Sequence, residues 1–363
     1  MKRSVKLRFT VAAAAFLLTL IGVIPAKLSV SFADWYAFHV YPVLVNIFAR
    51  ISGFFPCSLA EIVLVLAGLL VIFALVYFTV RMIRGKGERK RFLLSSAATA
   101  AAALSLIAVM FTYCCGINYY RSPFSAYSGL TFEKYTKEQL YETLVFMIGR
   151  VNELAPALES DEEGRCILPE DLSEQAILAM NRLSEEYPAL RSYYPRAKPI
   201  LASPLMCYTK IVGFFAPYTM EANYNTCETS ESVGYTICHE LSHMTGFMRE
   251  DEANFISYLA CRESGNPYLM YSGCHNAMKN LLNAYYRECG TEEYAEVYAM
   301  IDPRVQRHLY LNSVFWQQYE TPVATVSTAI NDTYLKINNQ TDGTKSYGRM
   351  VDLVIAEYLA GLS

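Results

Sequence analysis

Residues 238–255 read CHELSHMTGFMREDEANF and hold two of the five histidines of the chain. His239 and His243 are four apart, so a helix sets both imidazoles on one face, one turn from each other. Glu240 lies about 100° round such a helix from His239. It is poorly placed to join the histidines as a ligand, but it can reach a water held beside them. Two imidazoles and a neighbouring carboxylate at this spacing are the donor set of HExxH, in which two residues bind zinc and the glutamate is a general base. The bare motif recurs by chance, and by itself it divides evenly between a metal site and a helix that carries two histidines.

The residues that follow favour the metal. Zinc needs a third protein ligand and an open fourth position. Gly246 lets the chain reverse, and the segment from Glu250 to Asn254 then carries three carboxylates back toward the histidines. Glu250 and Asn254 are themselves four apart on the next helix. Glu250 can ligate while Asn254 hydrogen-bonds a ligating histidine. Glu250 is preferred to Glu252, which faces the other side of that helix when Glu250 faces in. Acidic residues are favoured at a helix N-terminus in any case, which accounts for Asp251 and Glu252 without a functional role. Cys238 points away from His239 on the helix and reads as a buried apolar residue.

These residues need a scaffold. The spacing of Val233, Ile237 and Leu241 predicts the motif helix over 232–245, with Ser230 and Ser232 available as caps and Gly246 as its left-handed stop. Ahead of it, 188–229 is punctuated by Pro and Gly, and MEANYNT (220–226) alternates, which predicts a small sheet or hairpin. Helical spacing marks 136–158 and 172–187. Further helices are expected over 250–263, 268–289, 303–319, 321–337 and 346–360. The domain from 120 to 363 is therefore α+β, mainly helical, with one short sheet before the motif helix.

The first 119 residues are different in kind. Uncharged apolar runs at 9–26, 62–80 and 92–117 are each long enough to cross a hydrocarbon core of about 30 Å as a helix. They account for the slightly positive mean hydropathy. The first run ends in Ile-Pro-Ala-Lys, without a cleavage site, and reads as a retained membrane helix. Residues 34–55 are apolar but interrupted by Asp34, His39, Pro42 and Arg50. They read as an interfacial helix; if they span, the orientation of the C-terminal domain reverses. Four basic residues in the N-terminal tail and six in 81–91 place tail and loop in the cytoplasm. The expectation is a multi-pass protein of the cell membrane, in contact with the lipid bilayer, whose 120–363 domain is extracytoplasmic. A net charge of −3 gives no sign of a nucleic-acid partner. None of the ten cysteines falls in a CxxC pair, so a zinc ribbon is excluded. Seven lie in the presumed external domain, where disulfides can form; their pairing is not legible from spacing.

HExxH followed by ExxAN resembles the zincin-like metallopeptidases, in particular the gluzincin type with its HExxH and ExxxD. Asn254 stands where that type has Asp, and the spacing between the motifs is shorter. HELSHMTG also looks like a metzincin start, but Arg249 holds the third-ligand position there and cannot serve. From about Asn118 onward the chain resembles a bacterial membrane protein family, a domain of unknown function in the same clan. That resemblance is carried by GFFAPYTMEANYN, CHELSHMTGFMREDEANFISYLAC, NSVFWQQY and YLKINNQTDGTKSYGRMVDL. It implies a zincin-like fold and Zn2+ held by His239, His243 and Glu250, with a water whose pKa falls toward about 7. Glu240 would take its proton and pass it to the leaving amine. The implied activity is hydrolysis of peptide bonds in a peptide or protein substrate, with MEANYNT pairing to the peptide by strand addition. The oxyanion donor stays open among His275, His308, Tyr347 and Arg349, each read first as structural. Two alternatives stay open as well. One is a non-catalytic membrane protein that binds or senses on a zincin scaffold. The other is a zinc amide hydrolase of a non-peptide or cell-wall substrate. Oligomeric state is not legible.

Overall fold

The computed structural model describes residues 3–85, 87–130, 134–340, 343 and 349–361. Of the described residues 74% are helix and 4% strand, so the sheet is an accessory to a helical protein. It divides into two compact units. One is Met1–Ser122 with Ala216–Glu221; the other is Pro123–Phe215 with Ala222–Ser363.

The first unit holds α1 (Arg3–Leu28), α2 (Val30–His39), α3 (Tyr41–Gly53), α4 (Leu59–Arg84) and α5 (Arg89–Cys114). Of these, α1, α4 and α5 are long and apolar enough to cross a membrane. Their surface is apolar as well: Leu70, Phe73 and Leu75 of α4 are all more than half exposed. No water-facing helix would present such a surface. α1 and α5 approach closely through small residues. Ala12, Ala15 and Ala98 are buried, and a Cβ on Gly22 would stand 2.9 Å from Thr112 Cγ2. Close backbones of this kind are how helices associate where lipid is as apolar as the side chains. Arg8 donates from α1 to Thr99 Oγ1 of α5 at 2.8 Å.

The expected single helix over 34–55 is two helices, α2 and α3, broken at Val40 ahead of Pro42. Neither reaches the length that a span requires. A Pro cannot donate within a helix interior, so it starts α3 instead. In the same unit, Glu221 is buried and accepts from the Leu59 and Ala60 N–H groups at 3.1 and 2.7 Å. It satisfies the orphan donors that open α4.

The second unit contains the single turn α6 (Ser125–Ser128), α7 (Lys137–Leu154), α8 (Leu172–Glu186), β1 (Lys198–Ile200), α9 (Ser203–Cys207) and, apart from their end residues Ala216 and Glu221, β2 (Gly213–Ala216) and β3 (Glu221–Asn225). Then come α10 (Val233–Ser242), α11 (Glu250–Glu263), α12 (Pro267–Tyr298), α13 (Pro303–Gln317), α14 (Pro322–Ile337) and α15 (Met350–Ala360). Residues 346–348 of the last expected helix lie outside the described residues. α12 runs past its expected end, with a break at Gly290, whose φ is 79°.

The core is built around α10, every residue of which is buried. It packs against α8, α11 and α12. Its start differs from expectation. Ser232 makes no side-chain cap and bonds Asn276 instead. The opening N–H groups go to α12, from Gly234 to Tyr268 Oη and from Tyr235 to Ser272 Oγ at 3.3 and 3.0 Å. A helix end buried against a neighbour takes its acceptors from that neighbour. Gly234 is required here, since a Cβ would stand 2.8 Å from Leu269 Cδ2.

The sheet order is β1-β3-β2, with β1 and β3 parallel. The predicted alternation of MEANYNT is not its burial pattern. Glu221, Asn223 and Asn225 are fully buried, and Tyr224 is the strand's partly exposed residue.

Candidate metal centre

The α10 helix closes at Ser242, and His243–Thr245 is a tighter 3₁₀ turn. Hydroxyls drive the change. Ser242 Oγ donates to the His239 carbonyl and Thr245 Oγ1 to the Ser242 carbonyl, at 2.7 and 2.6 Å, pulling the backbone from its i−4 pattern. Gly246 follows with φ 85°, the left-handed conformation that stops a helix at no steric cost. The chain reverses, and Glu250 opens α11.

The reversal brings three donors together. The ligand atoms of His239, His243 and Glu250 all lie within 4.8 Å of one another. His239 Nε2 is 3.2 Å from Glu250 Oε2. The two imidazoles stand edge to face, with centroids 5.0 Å apart. Each ring is oriented from behind. His239 Nδ1 meets Asn254 Oδ1 at 2.8 Å, and His243 Nδ1 meets the Phe247 carbonyl at 2.8 Å. Both partners are acceptors, so both Nδ1 atoms carry the hydrogen and both Nε2 atoms face inward. That tautomer is the one that a metal-binding imidazole needs. The frame around them is tied as well. Tyr235 Oη donates to the Asn254 carbonyl at 3.1 Å, and Ser257 Oγ donates to the Tyr235 carbonyl at 2.6 Å.

Glu252 does not share this position. It is buried, accepts from the Phe124 N–H at 3.0 Å and pairs with Arg249 at 3.2 Å. Asp251 pairs with Arg349 at 3.5 Å.

Glu240 is buried beside the histidines, and its closest neighbours come from β2. The Phe215 backbone N–H donates to its carboxylate. The Phe215 ring lies 5.8 Å from that of His243. Gly213 makes room for the carboxylate: a Cβ there would stand 2.7 Å from Glu240 Oε1, 2.9 Å from Thr236 Cγ2 and 3.0 Å from the Asn223 carbonyl. The backbone atom cannot swing aside. Gly213→Ala is therefore expected to lower the melting temperature by about 3–10 °C, and thermal unfolding followed by circular dichroism measures it.

The charges are tuned against one another. Burial raises Glu240 to about 8, with the Glu250 charge adding to it and His239 opposing. Burial works against a charged His239, but the Glu250 carboxylate outweighs it and lifts the pKa to about 9. Burial lowers His243 to about 4. At neutral pH the site thus holds a proton between His239 and Glu250, at a place where a cation can substitute for it. Zinc binding near pH 7.5 is expected to release about one to two protons, from His239 and from the Glu240 carboxyl, a release that fades as pH rises past about 9. Titration calorimetry in buffers of differing protonation enthalpy reads it directly. The same pair sets a stability window. The folded His239 pKa lies above its ordinary 6.5, so its contribution to the metal-free fold is complete below about 6.5 and is lost as pH rises through about 9.

The strand that lines Glu240 is β2, whereas MEANYNT, the strand expected to pair with a peptide, forms β3. β3 sits between β1 and β2, so its backbone groups are already paired and it has no edge to offer a peptide. Gly213 and Phe215 were missed because VGFFAP reads as a short apolar run between turns. The oxyanion candidates are engaged elsewhere. His308 contacts Tyr271 Oη and Cys166 Sγ. His275 stacks on Tyr271. Arg349 pairs with Asp251. Tyr347 lies outside the described residues.

Two imidazoles and the carboxylate that meets them are donors that could hold a metal ion, with a second carboxylate alongside. Residues 36–355 match the family described as Protein of unknown function (DUF3810), and the chain belongs to that family. No curated protein and no solved structure matches it.

Proposed function

We propose that the second unit is a zincin-like, gluzincin-type metallopeptidase domain, anchored to the membrane by α1, α4 and α5. The observation that carries this reading is the convergence of His239, His243 and Glu250 with both Nε2 atoms facing inward. Zinc held by these three residues would supply Lewis acidity to water and to a carbonyl oxygen. Nitrogen and carboxylate donors suit that ion. The chain's own residues do the rest. Asn254 and the Phe247 carbonyl hold the imidazoles in register. Glu240, whose pKa burial raises to about 8 and a neighbouring cation would lower again, takes a proton from the attacking water as the carboxylate and returns it to the leaving amine. The Phe215 N–H and the space left by Gly213 hold its carboxylate in place.

The basic tail and the basic segment 81–91 orient the anchor with both in the cytoplasm. Three spans then put the domain outside, where peptides and proteins are its substrates. A cell-wall amide is open to the same chemistry. The test is hydrolysis of a mixed peptide library by the full-length chain in detergent, with and without a chelator, beside Glu240→Gln. Cleavage that needs both metal and Glu240 supports the reading. Metal binding without Glu240-dependent cleavage makes this a binding or sensing protein on the same scaffold.

A further inference from the structure

All ten cysteines are free thiols, and most are sealed inside helix packing. Cys238 and Cys261 are each fully buried, and a Cβ on Gly273 would already meet Cys261 Cβ at 2.5 Å; no reagent reaches them in the folded chain. The pair Cys207 and Cys227 differs. Cys207 ends α9 and is fully buried, while Cys227 follows β3 and is partly exposed. The Cys227 thiol lies within electrostatic range of the Cys207 thiol. Asn225 bridges their surroundings: its Nδ2 lies 3.4 Å from Cys207 Sγ, and its Oδ1 accepts from the Cys227 N–H at 2.9 Å. The chain between them contains β2 and β3, and with them Gly213 and Phe215, which hold Glu240.

We propose that Cys207 and Cys227 are a thiol–disulfide modification site, closed by exchange with a disulfide oxidant, which staples the β2–β3 segment beside Glu240. The chemistry divides between the two sulfurs. The accessible Cys227, as thiolate, attacks the oxidant's disulfide, forms a mixed disulfide and releases one thiol. Cys207, as thiolate, then attacks Cys227 Sγ and expels the second thiol. Two protein thiols are oxidised, one disulfide is reduced to two thiols, and the two protons lost by the cysteines go to the released thiolates. The inference needs neither the metal nor the peptidase reading. A closed bond constrains the unfolded chain and fixes a wall of the candidate site.

The experiment uses the full-length chain in detergent, incubated with oxidised glutathione, alkylated under denaturing conditions and digested. Cleavage after Lys210 separates the two cysteines, so tandem mass spectrometry reads their linkage directly. The expected product is a Cys207–Cys227 cross-linked peptide two hydrogens lighter than the separate peptides. Cys207→Ser should trap glutathione on Cys227, and Cys227→Ser should leave Cys207 fully alkylated. The closed form should melt about 5 °C or more above the reduced one. Full alkylation of both cysteines in the wild type, a stable glutathione adduct on wild-type Cys227, or pairing of either with another cysteine would each overturn the proposal.

Discussion

Glu240→Gln is expected to lower metal-dependent hydrolysis by about 10²–10⁴-fold while leaving zinc affinity unchanged. Glutamine keeps the size of glutamate, and its carbonyl can still accept from the Phe215 N–H that holds the native carboxylate. It therefore preserves the packing against Gly213, where there is no space to spare. What it cannot do is take a proton from water. The three converging donors are His239, His243 and Glu250, so the substitution leaves all of them in place. Rates at saturating substrate, with zinc content measured on the same samples, separate the two effects. An unchanged rate would remove the peptidase reading and leave the metal site standing.

The second large effect is a contrast between neighbouring acids. Glu250→Ala should weaken zinc binding by more than about 100-fold, beyond the 10–100-fold typical of a partner behind a ligand such as Asn254. It also removes the carboxylate that raises the His239 pKa most, so that pKa falls. Glu252→Ala should keep the metal and lose the fold's margin. It strips an acceptor from the buried Phe124 N–H and a partner from Arg249, at a cost of about 3 kcal/mol. Zinc titration and denaturant unfolding of the two variants should give opposite signatures. The same signature in both would mean that the two carboxylates share one role.

Much of this arrangement is legible in the residues. HExxH spacing, a glycine reversal and an i, i+4 acid–amide pair are local features, and local geometry decides which groups meet. The three apolar helices are legible for the same reason, since lipid solvates each span separately. What escapes a linear reading depends on tertiary partners. Ser232 looks like a helix cap, but α12 supplies the acceptors through Tyr268 and Ser272. MEANYNT looks half-exposed, but its asparagines are buried, with Asn223 Nδ2 donating to the Phe214 carbonyl and Asn225 Nδ2 to the Ile211 carbonyl. Gly213 carries no local signal at all; its meaning lies in a carboxylate two elements later. The split of 34–55 into α2 and α3 was foreshadowed by Pro42.

The most direct test of the central claim is the zinc content of the full-length chain, purified in detergent without chelators and then supplied with zinc. About one zinc per chain, lost in both His239→Ala and His243→Ala while each variant keeps its helical content, is the result that this site predicts. A folded wild-type chain that retains no zinc would contradict it.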